Sequence, residues 1–334
     1  MPKDIDAQDQ EALQACRQLV EDFPGNPDAL LLLGTLHAMI GNMEEATELW
    51  QQCLKIAPRH GGAYYQMAKL AERQEEYDKA AELWRELIRI NPSLPGIRYQ
   101  LAVSLVDSGK MQEAINALKQ ELQISPKHAA ESQSLLAKAY LQLRDYEKAR
   151  ESYRAAVTLR PNDSQSWYGL ATALARLGKR EEAQEAMEEF QNPKVAGGGQ
   201  PHTYEGNAFS RLVLAHNRAA AMYRAHGHDA KAERHWRRAS RVAPRDADCR
   251  MQLTKLYLED GKHDKALLTC KQLVEIDPAS HMFHANLGII HAEMNQIDAA
   301  LAELRKAIEI APDSRQYRQK YSELQQRKLS ERQN

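Results

Sequence analysis

The residues of this 334-residue chain that could do chemistry begin with three Gly-Lys pairs, Gly109-Lys110, Gly178-Lys179 and Gly261-Lys262. A glycine-rich turn ending in lysine can cradle a phosphate, but the phosphate loop needs GxxxxGK[ST] after a strand, and no pair has that spacing. His226-Gly-His228-Asp229 and the His281/His284 pair have metal-like spacing, yet neither has a third ligand at motif distance. There is no HExxH or GxSxG, and acidic runs such as REEAQEAMEEF (residues 180–190) read as solvated faces. The four cysteines form no CxxC, and Cys16, Cys53 and Cys270 fall in apolar columns where a buried free thiol is expected. The expectation is a chain that is not an enzyme, with no cofactor and no metal.

A different pattern points to binding. Tyr65-Gln66 and Tyr99-Gln100 stand 34 residues apart. A side-chain amide offers both a donor and an acceptor, so a ladder of amides can pair with an extended peptide backbone whatever its sequence. The same interval runs through the whole chain. Alanine recurs at 46, 80, 114, 149, 183, 232, 266 and 300, and the residue twelve places earlier is small each time (Gly34, Ala68, Ala102, Ala137, Ala171, Ala220, Thr254, Gly288). Proline keeps the beat at 24, 58, 92, 126, 161, 244, 278 and 312.

Each interval holds two amphipathic helices. In the first, Leu30, Leu33, Gly34 and His37 mark one stripe, Gly41-Asn42 reads as a turn, and Ala46, Trp50 and Cys53 mark a second stripe that Pro58 ends. The small residues let the paired helices approach closely. A bulky column (Trp50, Trp84, Leu118, Tyr153, Met187, Trp236, Cys270, Leu304) fills the space beside them, and a turn column (Gly41, Glu75, Gly109, Arg144, Gly178, Gly227, Gly261, Asn295) closes the first helix.

On these columns the chain resembles a tetratricopeptide repeat (TPR) protein. The resemblance implies an all-α, right-handed TPR solenoid of eight helix-turn-helix repeats. Residues 1–26 match only the second helix of a unit, a half-repeat cap. Repeats one to five take 27–190, a Gly/Pro-rich inserted loop takes 191–207, repeats six to eight take 208–312, and 313–334 form a capping helix and tail. The loop reads either as a neutral surface insertion or as a hinge or flap. With a cap at each end, the array is expected to be the whole working protein.

By resemblance, the first helix of each unit lines the concave surface, which assigns Tyr65, Gln66, Lys69, Tyr99, Gln100, Tyr168, Gln252 and Asn286 to a groove for a protein or peptide partner. The amide column is partly similar to the asparagine ladder in the TPR superhelix of O-linked N-acetylglucosamine transferases, and Leu135, Gly169 and Arg218 interrupt it. The lysine and asparagine set of chaperone-docking TPR co-chaperones is missing, since Lys69, Val103 and Lys138 sit on helices without the required asparagines.

Charge is balanced overall at −1, with 43% apolar and 6% aromatic residues, which argues against coating nucleic acid throughout. Locally it is segregated. Residues 1–50 hold ten acids against two bases, and residues 211–245 hold nine bases against two acids. Arg234, Arg237, Arg238 and Arg241 therefore form a basic patch on the sixth repeat. It could seat an acidic protein, RNA, or the acidic N-terminal end of another copy, which makes a homo-oligomer compatible with the pattern. Base-stacking aromatics are scarce there, so nucleic acid is the weaker alternative. With no signal peptide and no run of 18 apolar residues, the expected location is the cytoplasm, and the expected function is a non-catalytic scaffold or adaptor.

Overall fold

A computed structural model describes residues 6–125, 129–192 and 207–333. Eighteen helices account for the regular structure among these residues. In chain order they are α1 (Ala7–Asp22), α2 (Pro27–Met39), α3 (Met43–Ile56), α4 (Gly61–Arg73), α5 (Tyr77–Ile90) and α6 (Ile97–Asp107). Next come α7 (Met111–Ile124), α8 (Ala129–Gln142), α9 (Tyr146–Leu159), α10 (Ser164–Arg176), α11 (Arg180–Gln191) and α12 (Ala208–Ala225). The last six are α13 (Asp229–Val242), α14 (Asp248–Glu259), α15 (His263–Ile276), α16 (His281–Glu293), α17 (Ile297–Ile310) and α18 (Arg315–Gln333). The architecture among the described residues is all-α.

The alanine columns mark where paired helices touch. Ala46, Ala80, Ala114, Ala149, Ala232, Ala266 and Ala300 are all fully buried, as are their partners Ala68, Ala102, Ala137 and Ala220. Where the partner is glycine the approach is closer still. A Cβ on Gly34 would stand 2.7 Å from the Trp50 indole nitrogen, and one on Gly288 would stand 2.9 Å from Leu304 Cγ. Interiors pack at near-crystalline density, so neither position has room for a methyl group without movement of its neighbour.

The turns are equally regular. All eight turn-column residues have a left-handed backbone, including the non-glycines Glu75, Arg144 and Asn295 at φ near 60°. In each, the next backbone N–H donates five residues back, as in Lys110 N–H to the Leu105 carbonyl (2.7 Å) and Gln296 N–H to the His291 carbonyl (2.8 Å). This Schellman closure satisfies carbonyls that a helix end otherwise leaves open. It also settles the Gly-Lys pairs: Lys110, Lys179 and Lys262 use their backbone N–H groups to close helices, so no nest of free N–H groups remains to hold a phosphate.

Contacts divide the chain into two compact units. One comprises Gly25–Thr35 and Glu44–Tyr204, and its core runs unbroken from Ala68 to Ala186 through Trp84, Leu105, Leu118, Tyr140, Tyr153 and Leu174. The other comprises Met1–Pro24, Leu36–Met43 and Glu205–Asn334. There α12 to α18 pack in succession, and Leu324, Tyr317 and Tyr321 of α18 cover the α17 core. The Gly/Pro-rich loop expected at 191–207 lies outside the described residues except at its ends, where Gln191 still belongs to α11, Asn192 follows it and Asn207 precedes α12. Asn207 caps α12 by accepting from Ser210 N–H at 2.9 Å.

Candidate functional site

Tyr65, Gln66 and Lys69 fall on α4, Tyr99 and Gln100 on α6 and Tyr168 on α10, and a carboxylate that the sequence did not single out organises those of α4 and α6. Glu72 on α4 accepts from the Trp84 indole N–H (2.8 Å), the Ser104 hydroxyl (2.9 Å) and the Lys69 ammonium (2.8 Å). Lys69 also donates to Gln100 Oε1 at 2.6 Å, which ties α4 to α6, and lies 5.5 Å from the Trp84 ring centre. Tyr65 stands edge-on to Trp84 at 5.2 Å and borders an apolar cavity of about 410 Å³ with Gly61, Gly62, Leu87 and Leu94.

This geometry modifies the expected amide ladder. Gln100 already accepts internally, so it presents only its NH₂ donors, whereas Gln66 makes no hydrogen bond among the described residues. The Lys69 charge is neutralised by Glu72. Tyr99 is half-buried against the core, and burial pushes its hydroxyl pKa up, while Tyr168 remains 54% exposed beside Phe190. The interruption at Gly169 has a packing cause, because a Cβ there would fall 2.2 Å from the Tyr153 ring. Exposed Gln252 (α14) and half-buried Asn286 (α16) lie in the other unit. The residue before Asn286, Ala285, turns inward and is buried in the α17 cluster. Glu72 was missed because only its i+3 spacing from Lys69 signals it, and its carboxylate sits where the preceding repeat has Ala38.

The candidate metal histidines have other partners. His284 bonds Glu303 (2.6 Å) and the Pro278 carbonyl (3.0 Å) through its two nitrogens, and His281 bonds the Tyr317 hydroxyl (2.9 Å). Among the described residues no group of three or more His, Cys, Asp and Glu could hold a metal. All four cysteines, Cys249 included, are buried and free, and burial pushes their thiol pKa values up to about 11 or 12. Such thiols are poor nucleophiles. No helix among the described residues is long and apolar enough to cross a membrane.

The basic patch needs a correction, because the acidic N-terminal helix of the same chain sits on it. Helix α1 packs along α12 as α5 packs on α6. Arg211 clasps Asp9 through two bonds of 2.6 and 2.7 Å, Arg238 clasps Glu11 through two of 2.6 Å, and Lys231 reaches Asp22 at 2.5 Å. Tyr223 also donates to Asp22, and the Phe23 ring lies 5.4 Å from Tyr223 and 4.4 Å from His226. Asp9 is 4% exposed, so removing Arg211 would strand a buried carboxylate, whereas the Glu11–Arg238 pair is half-exposed. Of the four patch arginines, Arg238 is thus paired, Arg237 lies 3.8 Å from Glu233, and Arg234 and Arg241 have no partner among the described residues.

Two histidines lie under this seam. His216 faces Glu11 through Nε2 (3.3 Å) and His235 through Nδ1 (2.8 Å). If Nε2–H donates to the carboxylate, Nδ1 must accept from His235 Nδ1–H, so both rings are neutral and a proton on His216 Nδ1 breaks the contact. Burial lowers the pKa of each, that of His235 to about 4. The unfolded rings take protons near ~6.5 and the folded rings resist them, so stability present above that pH is lost as it falls toward 4. Glu11 and Asp22 are lowered by their Arg238 and Lys231 hydrogen bonds, Asp22 to about 2, and lose their contribution at lower pH still. Amide hydrogen exchange of α1 is expected to accelerate between pH 7.5 and 5 relative to α16 and α17. Equal pH responses in the three helices would contradict this account of the seam.

Paired helices repeated at about 34 residues and closed by a left-handed turn define an α-α repeat scaffold. The chain is a tetratricopeptide repeat protein. Two family models described as tetratricopeptide repeat match residues 134–196 with 223–281, and residues 257–324. That of the tetratricopeptide repeat protein 21 C-terminal ARM domain matches residues 13–140. No curated protein matches the sequence. A solved structure of YrrB, described as a TPR protein with an unusual peptide-binding site, is 16% identical over 55% of this chain and 96% of its own, with a TM-score of 0.48. MamA (41-end) from Desulfovibrio magneticus RS-1 is 18% identical over 52% and 97%, with a TM-score of 0.48. The TPR domain of P58(IPK) is 17% identical over 98% and 95%, with a TM-score of 0.32. The family's fold suggests a protein–protein interaction scaffold, and TPR repeats are generally non-catalytic.

Proposed function

We propose that this chain is a non-catalytic adaptor that holds an extended segment of a partner protein across α4 and α6. The observation that carries this reading is the network centred on Glu72, which fixes Lys69 and Gln100 and leaves the Gln100 NH₂ and the whole Gln66 amide available. Tyr65 and Tyr99 flank them with rigid ring area, and Tyr168 offers a further exposed ring on α10. An extended backbone would meet donors at Gln100 and both donor and acceptor at Gln66.

Each lost amide pair costs on the order of 0.5–1.5 kcal/mol, so Gln66→Ala with Gln100→Ala is expected to weaken binding roughly tenfold. The test is to identify a partner retained by the wild-type chain, then compare its affinity for both proteins by calorimetry. The melting temperature should fall only modestly, because Gln100→Ala removes the Lys69 bond between α4 and α6 while neither residue belongs to the alanine or bulky columns. Undiminished affinity of the double variant would remove the α4–α6 site.

A second reading, an acidic partner on α13, is favoured by Arg234 and Arg241. They stand seven residues apart on one helix face, exposed and unpaired among the described residues. The RNA alternative has no comparable support, since the one tryptophan of α13, Trp236, is buried in the packing column.

A further inference from the structure

We infer that the α12–α13 face is a receptor for an acidic amphipathic helix of a partner protein, and that α1 is the chain's own releasable occupant of that receptor. The inference deepens the second reading above and rests on it.

The first ground is connectivity. Among the described residues the other extensive helix contacts join helices consecutive along the chain, whereas α1 meets α12 and α13 across more than 200 residues, as in Asp9–Arg211 and Glu11–Arg238. Lifting α1 therefore opens none of the left-handed turns that lock the helix pairs. Pro24 and Gly25 follow the helix, and Gly25 has a φ of +81°, a conformation that leaves the joint free of side-chain strain.

The second ground is chemistry. The seat recognises its occupant by charge, with guanidinium forks at Arg211 and Arg238 and an ammonium at Lys231, while α1 itself carries the fully buried small and apolar residues Ala12, Cys16 and Leu19. A helix with carboxylates at the places of Asp9, Glu11 and Asp22 and small or apolar residues between them meets every one of these groups. Unpaired Arg234 and Arg241 continue the positive stripe on α13, so a longer or more acidic helix gains contacts that α1 does not make.

An open pocket of about 390 Å³ lies beside the seam, lined by Gln18, Asp22, His216, Tyr223, Lys231, Arg234 and His235, so solvent reaches the polar groups that hold α1. Because α1 is tethered, it competes at high effective concentration, and a partner's apparent affinity is reduced by the fraction of time α1 is docked.

The test uses the full chain and a labelled peptide of residues 6–24. A second labelled helix, unrelated in sequence, carries acids at the places of 9, 11 and 22. Glu11→Lys, which sets a like charge against Arg238 and takes away the carboxylate that His216 faces, should raise affinity for both peptides at least tenfold over wild type. Adding Arg211→Glu should abolish that gain. Should Glu11→Lys fail to fold, Glu11→Gln should give a smaller gain in the same direction. If neither variant gains, but an unstructured oligoglutamate binds wild type and is lost with Arg234→Glu/Arg241→Glu, the releasable helix is wrong and the acidic-partner reading survives. If no acidic probe binds at all, both fail. Concentration-dependent dimerisation of Glu11→Lys, seen by light scattering, would overturn the partner assignment in favour of exchange of α1 between copies.

Discussion

Trp84→Ala is expected to destabilise the chain by about 3–5 kcal/mol, the range for removing a fully buried large aromatic side chain. Trp84 has no exposed surface and sits in the continuous core of its unit, so its loss leaves a cavity that the surrounding helices can only partly close. It also removes the indole N–H from Glu72 and the ring face from Lys69. Glu72 would keep Ser104 and Lys69, so the carboxylate is not stranded, and volume should dominate the effect. Trp84→Phe refills much of that volume without the N–H, and should cost less than half as much. Denaturant unfolding of the two variants checks this. Equal losses would mean that the Glu72 bond, and not packing, holds the column. Trp50 offers an internal contrast, since its indole nitrogen is buried with no partner among the described residues.

How much of this was legible in the sequence depends on the range of the interaction. The alanine, bulky and turn columns are local, recurring at fixed spacing within one helix pair. Even the three non-glycine left-handed residues, Glu75, Arg144 and Asn295, could be placed by register. The Lys69–Gln100 bond lies between repeats, and spacing alone placed both residues on the same face but could not show that they satisfy one another. Glu72 was hidden because acidic residues on helices are usually solvated, whereas this one is partnered by Trp84 of its own repeat and Ser104 of the next. The α1 seam was least legible. Opposite charge blocks at the N-terminus and around residue 230 were visible as composition, but pairing them requires a contact over 200 residues that no period encodes. Hence the basic patch appeared open when Glu11 in fact covers Arg238.

Ala149→Trp is the complementary prediction, since it adds volume where Trp84→Ala removes it. Ala149 on α9 and Ala137 on α8 are both fully buried, and α8 and α9 pack along each other. An indole there must push the helices apart, which places the cost at the upper end of the ~1–3 kcal/mol usual for overpacking, or above it. In an array where each pair contacts only its neighbours, stability is a sum of pair and nearest-neighbour terms. The loss should therefore spread to α7 and α10, which pack against α8 and α9, and fade beyond them. Native-state hydrogen exchange reads this directly: protection should fall in α7 to α10 and hold in α15 to α17. Unchanged exchange in α7 and α10 would mean that the repeats do not share interfaces as the alanine columns require, and uniform loss across the chain would mean a single cooperative core instead of an array.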